Sequence, residues 1–161
     1  MPEVISDTSP LQYLYQAECL NLLPALYGSI LVPEGVAEEI AAGHSLGHSL
    51  PDLAALGWLR VTPVPHRRIL LLATDLGKGE REVLSLAVER ANTTALLDDA
   101  LARRMAGHLG IPFTGTLGVL LRAKQAGLVK AVKPLVDRLQ ALGFRLGPTT
   151  RAEVLDLAGE V

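Results

Sequence analysis

The chain has 161 residues, 49% of them hydrophobic and 20% charged, which is enough apolar material for one ordinary domain core and argues against disorder. A formal net charge of −2 argues against a protein that coats nucleic acid by bulk electrostatics, and 4% aromatics are too few for a surface that grips single strands mainly by stacking. Any nucleic-acid partner must therefore be met by a local patch.

Glu3-Val4-Ile5-Ser6 reads as a short strand, and Asp7-Thr8-Ser9-Pro10 follows with N-cap residues and a proline suited to a first helical turn. Leu11, Leu14, Leu20, Leu22, Leu23 and Leu26 then suggest an apolar helix over residues 11–26, able to fill a core or to form an interface. The lone Cys19 has no Cys or His neighbour at zinc-ligand spacing and reads as core filling. Residues 29–32 are a second apolar run meeting Pro33, after which residues 34–42 have helical composition. The stretch from 42 to 52 is broken by glycine, serine and proline and reads as a loop. His44 and His48 lie within it, so their metal-pair spacing carries little weight without a helix.

Residues 58–64 suggest a strand, 79–92 a helix, and 94–97 a short strand ending in two aspartates. Asp99 opens a helix to about Leu109, residues 111–114 form one more short strand, and helices follow near 116–126, 130–142 and 148–158. Strands alternating with helices predict a three-layer α/β/α fold with a central, mostly parallel sheet, whose ligands bind outside the carboxyl ends of its strands. No linker divides the chain, so a single domain over residues 1–161 is expected, with a helical C-terminal extension from about 130. There is no apolar run of about 18 residues and no basic-then-apolar leader, so a soluble, cytoplasmic protein without a membrane partner is expected.

Four carboxylates stand where such a sheet presents its ligands. Asp7 follows the first strand, although Asp is equally a common helix N-cap. Glu39 shares a helical face with Val36, Ile40 and Gly43, while Glu38 points elsewhere. Glu80 starts the apolar face of Val83, Leu84, Ala87 and Ala91, with Glu82 and Glu89 on the polar side. Interaction with the helix macrodipole is its competing explanation, worth about 0.3–1 kcal/mol. Asp98 ends a strand, and Asp99 is placed to cap the next helix. Gathered in one pocket, these acids would repel one another, and a divalent cation would relieve them. Oxygen donors without clustered Cys or His suit Mg²⁺ or Mn²⁺, which can activate water for phosphodiester hydrolysis.

The segments Val-Ile-Ser-Asp-Thr-Ser-Pro-Leu at 4–11, Val-Pro-Glu-Gly-Val-Ala-Glu-Glu-Ile at 32–40, Leu-Gly-Lys-Gly-Glu-Arg-Glu-Val-Leu-Ser-Leu-Ala at 76–87, Leu-Leu-Asp-Asp-Ala-Leu-Ala-Arg at 96–103 and Gly-Ile-Pro-Phe-Thr-Gly-Thr-Leu-Gly-Val-Leu-Leu-Arg-Ala-Lys at 110–124 together resemble PIN domains. The resemblance is to a prokaryotic branch related to VapC toxin ribonucleases, and it spans nearly the whole chain. It implies that Asp7, Glu39, Glu80 and Asp98 are the catalytic, metal-coordinating acids of an Mg²⁺- or Mn²⁺-dependent endoribonuclease. Toxin-type relatives more often carry Asp where Glu80 stands, so the longer side chain must set its metal distance differently. The resemblance also implies an RNA substrate, a homodimer, and a cognate antitoxin whose segment blocks the acidic pocket.

Thr8, Ser9, Asp99, Arg103, Thr114 and Thr116 are the further candidates for pocket or phosphate contacts, although Thr116 reads equally as a helix cap. Aspartate-nucleophile phosphatases need a second Asp two residues after the first, where Ser9 stands here, and receiver domains need adjacent acids near the first strand. The rival from another class is a catalytically weak PIN-fold module that binds RNA or a protein.

Overall fold

The computed structural model describes residues 2–64 and 75–161. Its sheet has five parallel strands: β1 (Glu3–Ser6), β2 (Ile30–Pro33), β3 (Leu59–Thr62), β4 (Thr93–Leu96) and β5 (Phe113–Thr114), in the order β3-β2-β1-β4-β5. Among the described residues the helices are α1 (Thr8–Gln16), α2 (Leu22–Tyr27), α3 (Glu34–Ser45), α4 (Lys78–Glu89), α5 (Ala100–His108), α6 (Thr116–Gln125), α7 (Lys133–Ala141) and α8 (Pro148–Leu157). Helices flank the sheet in the α/β/α arrangement that alternating strands and helices predicted.

Parallel strands covered on both faces have no wet side, so the central ones read as unbroken apolar runs. Ile30, Leu31, Val32 and Pro33 of β2 are all buried, as are Val4, Ile5 and Ser6 of β1. The edges differ: β3 buries Leu59 but exposes Arg60 and Val61, and β5 has only two residues. Pro33 can end a strand and precede a helix because the N–H it lacks is one a helix start leaves unpaired.

Chain order reverses beside β1. The first two crossovers lead outward to β2 and β3, after which α4 lies across β1, β2 and β4 and returns the chain to the opposite side of β1. The carboxyl ends of β1 and β4 therefore flank the topological switch point, where open α/β sheets place their ligands. Register fixes this edge closely: Ser6 pairs with Leu96, and the Asp7 amide donates to the Leu96 carbonyl at 3.1 Å. Asp7 is thus the first residue beyond the sheet, still pinned to it by its backbone.

Some expected boundaries change. The helix expected over 11–26 is two helices, with Glu18 in the left-handed region at φ 60° between them and Pro24 inside the first turn of α2. Leu11, Leu14, Leu20, Leu22 and Leu23 are buried and Leu26 packs on the core, so these leucines fill the interior rather than form a free apolar face. The loop expected from residue 42 begins later, because α3 runs through Ser45. His44 is in its last turn and His48 lies beyond it, so the two histidines do not share a helix. Cys19 is half-buried against the core, and burial pushes its thiol up to about 11. No helix among the described residues is long and apolar enough to cross a membrane.

Candidate functional site

At the switch point lies a cleft of about 760 Å³ whose lining includes Asp7, Thr8, Ser9, Glu38, Glu39 and Glu80. Asp7 occupies the N-cap position of α1, yet its side chain makes no capping hydrogen bond. The residue is 6% exposed and its pKa is pushed up to about 7. Burial is the main cause; the Thr8 backbone N–H opposes it, and the charges of Glu80, Glu39 and Asp98 add to it in that order. These three acids reach Asp7 from α3, from α4 and from beyond β4, and sense it electrostatically although they are far apart in sequence.

The other carboxylates have protein donors. Thr8 Oγ1 donates to Glu39 at 3.1 Å, and Ser9 Oγ donates to Asp98 at 2.7 Å. The first turn of α1 thus sends one hydroxyl to each side of Asp7. Asp98 also accepts from the Thr116 N–H and from Thr116 Oγ1, both at 2.7 Å. Thr116 does not cap α6, whose N-cap is Gly115; its buried hydroxyl holds Asp98 instead. Glu80 accepts from the Gly77 N–H at 2.7 Å, a capping contact at the start of α4. Burial raises its pKa, opposed by that hydrogen bond, while Asp99 and Glu39 raise it further and Arg81 lowers it.

Glycines bring the elements together. A Cβ on Gly79, the second residue of α4, would lie 3.0 Å from Asp7 Oδ1 and 3.3 Å from Glu39 Oε2. The two carboxylates therefore converge on a place, also bordered by Val36, that a methyl group would crowd by a few tenths of an ångström. At Gly115 a Cβ would lie 2.8 Å from Asp98 Oδ1, so glycine there lets the start of α6 approach that carboxylate.

A family profile described as PIN domain matches residues 3–160. The chain belongs to the PIN-domain family. A search of curated proteins finds no match. PIN domains are generally nucleases and typically use divalent metal ions.

The residues of this PIN domain suit such an ion by chemistry: the donors are all carboxylate oxygens, and Asp7 is buried among acids. Among the described residues no three His, Cys, Asp or Glu side chains are drawn into an ion-holding group. The hydrogen bonds account for this, since Glu39, Glu80 and Asp98 are each turned onto a hydroxyl or N–H donor, as mutually repelling carboxylates would be. A divalent ion at the switch point would draw on the carboxylates of Asp7, Glu39 and Glu80, which line the cleft, and of Asp98 beside it.

Of the remaining sequence candidates, Asp99 caps α5 by accepting from the Ala102 N–H at 2.9 Å. Arg103 and Thr114 line a second pocket, beyond Asp98 and outside the acidic cleft. Sequence periodicity misplaced two glutamates. Glu38, expected to point elsewhere, lines the same cleft as Glu39 and pairs with Lys78 at 3.1 Å. Glu82, expected on a polar face, is 7% exposed and accepts from the Gly35 N–H at 3.0 Å, and its Oε2 has no partner among the described residues. The misreading arises because α4 is covered on more than one side, by the sheet and by α3 and α5. One signal was available: α3 begins at Pro33-Glu34-Gly35 with no Ser, Thr, Asp or Asn to cap it, which leaves its first N–H groups open to an acceptor from elsewhere in the chain.

Proposed function

We propose that the protein is an Mg²⁺- or Mn²⁺-dependent endoribonuclease of the VapC-toxin type. The observation that carries this reading is Asp7: a buried carboxyl at the switch point, held near pKa 7 by burial and by three other acids. Burying a charge among like charges is costly, and the arrangement is best explained by a cation that neutralises it.

When bound, the ion would supply an activated water and stabilise the leaving oxygen of the phosphodiester. This chain's own residues do the positioning. Asp7 loses its proton near neutral pH, Thr8 and Ser9 orient Glu39 and Asp98, and Thr116 fixes both oxygens of Asp98. Gly79 keeps the space between Asp7 and Glu39 clear. A cognate antitoxin, a homodimer and a cytoplasmic location extend this reading on the strength of the resemblance to toxin relatives.

The test is cleavage of structured and single-stranded RNAs with Mn²⁺, Mg²⁺ or EDTA, comparing wild type with Asp7→Asn and Glu80→Gln. Metal-dependent cutting lost in both variants supports the proposal, and cutting retained by both overturns it. The hold of Gly77 on Glu80 favours a second reading, a catalytically weak PIN-fold module that binds RNA or a protein. Mn²⁺ binding without cutting any of the RNAs would favour that module.

A further inference from the structure

Next to the acidic cleft is a pocket of about 310 Å³, formed by the carboxyl end of β4, the β5–α6 turn and the C-terminal segment through α8. Asp98 forms part of its wall, and Ser9, which lines the cleft, donates to Asp98 at 2.7 Å. A second link is aromatic: Tyr13 of the cleft and Phe144 of the pocket meet edge to face, with ring centroids 5.0 Å apart. The two hollows are neighbouring compartments with one shared wall.

Their chemistry differs. The cleft gathers carboxylates, whereas the pocket carries Arg103 and Arg145, neither in an ion pair among the described residues. Arg103 is braced over the Phe113 ring at 5.1 Å, a stacking that pre-orders its guanidinium. Thr114 and Thr150 add hydroxyls, and the half-buried Phe144 and Leu146 add an apolar wall. Guanidinium forks and hydroxyls suit a phosphate, and an aromatic-aliphatic wall suits a planar base. The volume is at the low end of ligand pockets, about 300–1,000 Å³, and gives room for one nucleotide rather than a duplex.

We infer that this pocket is a nucleotide subsite, holding the nucleotide next to the scissile phosphate of a single-stranded RNA; the second half of the inference rests on the nuclease reading. In a chain of net charge −2, it supplies the cationic contact that a polyanion needs to approach an acidic centre. The C-terminal segment then belongs to substrate binding as well as to the fold.

The test is amide NMR of the protein in EDTA, titrated with uridine 5′-monophosphate, uridine or inorganic phosphate, together with Mn²⁺-dependent RNA cleavage kinetics. The monophosphate should give saturable shifts at Gly115, Gly118, Gly147 and Thr150, stronger than with either fragment. Arg103→Ala and Arg145→Ala should each weaken binding about tenfold and raise KM with kcat little changed, at unaltered melting temperature. Asp7→Asn should keep the nucleotide shifts. Absent shifts, equal affinity in both arginine variants, inorganic phosphate binding as well as the nucleotide, or shifts produced only by an acidic peptide would each overturn the inference. Nucleotide binding here by a protein that cuts no RNA would sink the nuclease reading and leave the subsite standing. Asp7-dependent cutting with unchanged KM in both arginine variants would do the reverse.

Discussion

Asp7 at the end of β1 and Glu160 near the C-terminus are both carboxylates at element boundaries, and their surroundings treat them oppositely. Glu160 accepts from Lys124 Nζ at 2.8 Å, from the Val132 N–H at 2.7 Å and from the Lys133 N–H at 3.0 Å, and these donors pull its pKa down to about 2. Asp7 is buried beside Glu80, Glu39 and Asp98, and its pKa rises to about 7. The fold neutralises Glu160 with its own donors and thereby ties the C-terminal segment to α6 and the start of α7. At Asp7 the Thr8 N–H is outweighed by burial and three acidic neighbours, which is consistent with the cation proposed for it.

The largest effect expected from this contrast is at Asp7. Asp7→Asn should lower RNA cleavage by on the order of a hundredfold or more, as loss of a metal-holding, water-activating group would. In metal-free buffer the same change should raise stability. Asp7 has a folded pKa above its ordinary 3.8, so the stability it contributes is complete below pH 3.8 and is lost as pH rises through about 7. Denaturant melts at pH 8 should therefore show Asp7→Asn more stable by on the order of 3 kcal/mol, with little difference at pH 3. Equal stabilities at both pH values would contradict the strained carboxylate.

A smaller effect is expected at Gly79. Alanine there favours a helix by up to about 1 kcal/mol but inserts a methyl between Asp7 and Glu39. Gly79→Ala should melt close to wild type while cutting RNA about tenfold more slowly, as misplacement of catalytic groups does. Wild-type cleavage would show that the convergence on Gly79 has no part in activity.

The smallest effect is at the other carboxylate. Glu160→Gln keeps the shape but loses the charge, and should lower the melting temperature by a few degrees at pH 7. The sign is opposite to that at Asp7: a depressed pKa contributes stability above pH 4.5, lost as pH falls through about 2. The difference between wild type and variant should shrink across that window, which thermal melts between pH 6 and pH 2 would show.

What was legible in the sequence follows from how local each cause is. The placement of Asp7 and Asp98 beyond strand ends was readable because strand ends are visible as apolar runs that stop. Asp99 as a cap was visible for the same local reason. The pairing of Ser9 with Asp98, 89 residues apart, could not be read, because it depends on which strands become neighbours. Glu82 was misread because helical periodicity describes one buried face, and α4 has neighbours on more than one side. The expected 11–26 helix failed for a readable reason: Pro24 suits a first turn, not a helix interior. Arg145 had no local signal at all; its place in the pocket that Arg103 also lines is made by packing of the C-terminal segment against α6.

The most direct test of the central claim is Mn²⁺ binding followed by electron paramagnetic resonance at pH 6, 7 and 8, for wild type and Asp7→Asn. Binding should tighten as pH rises through about 7, where Asp7 gives up its proton, and should be lost in the variant. Binding of equal strength in both proteins, or none in wild type at pH 8, would contradict that claim.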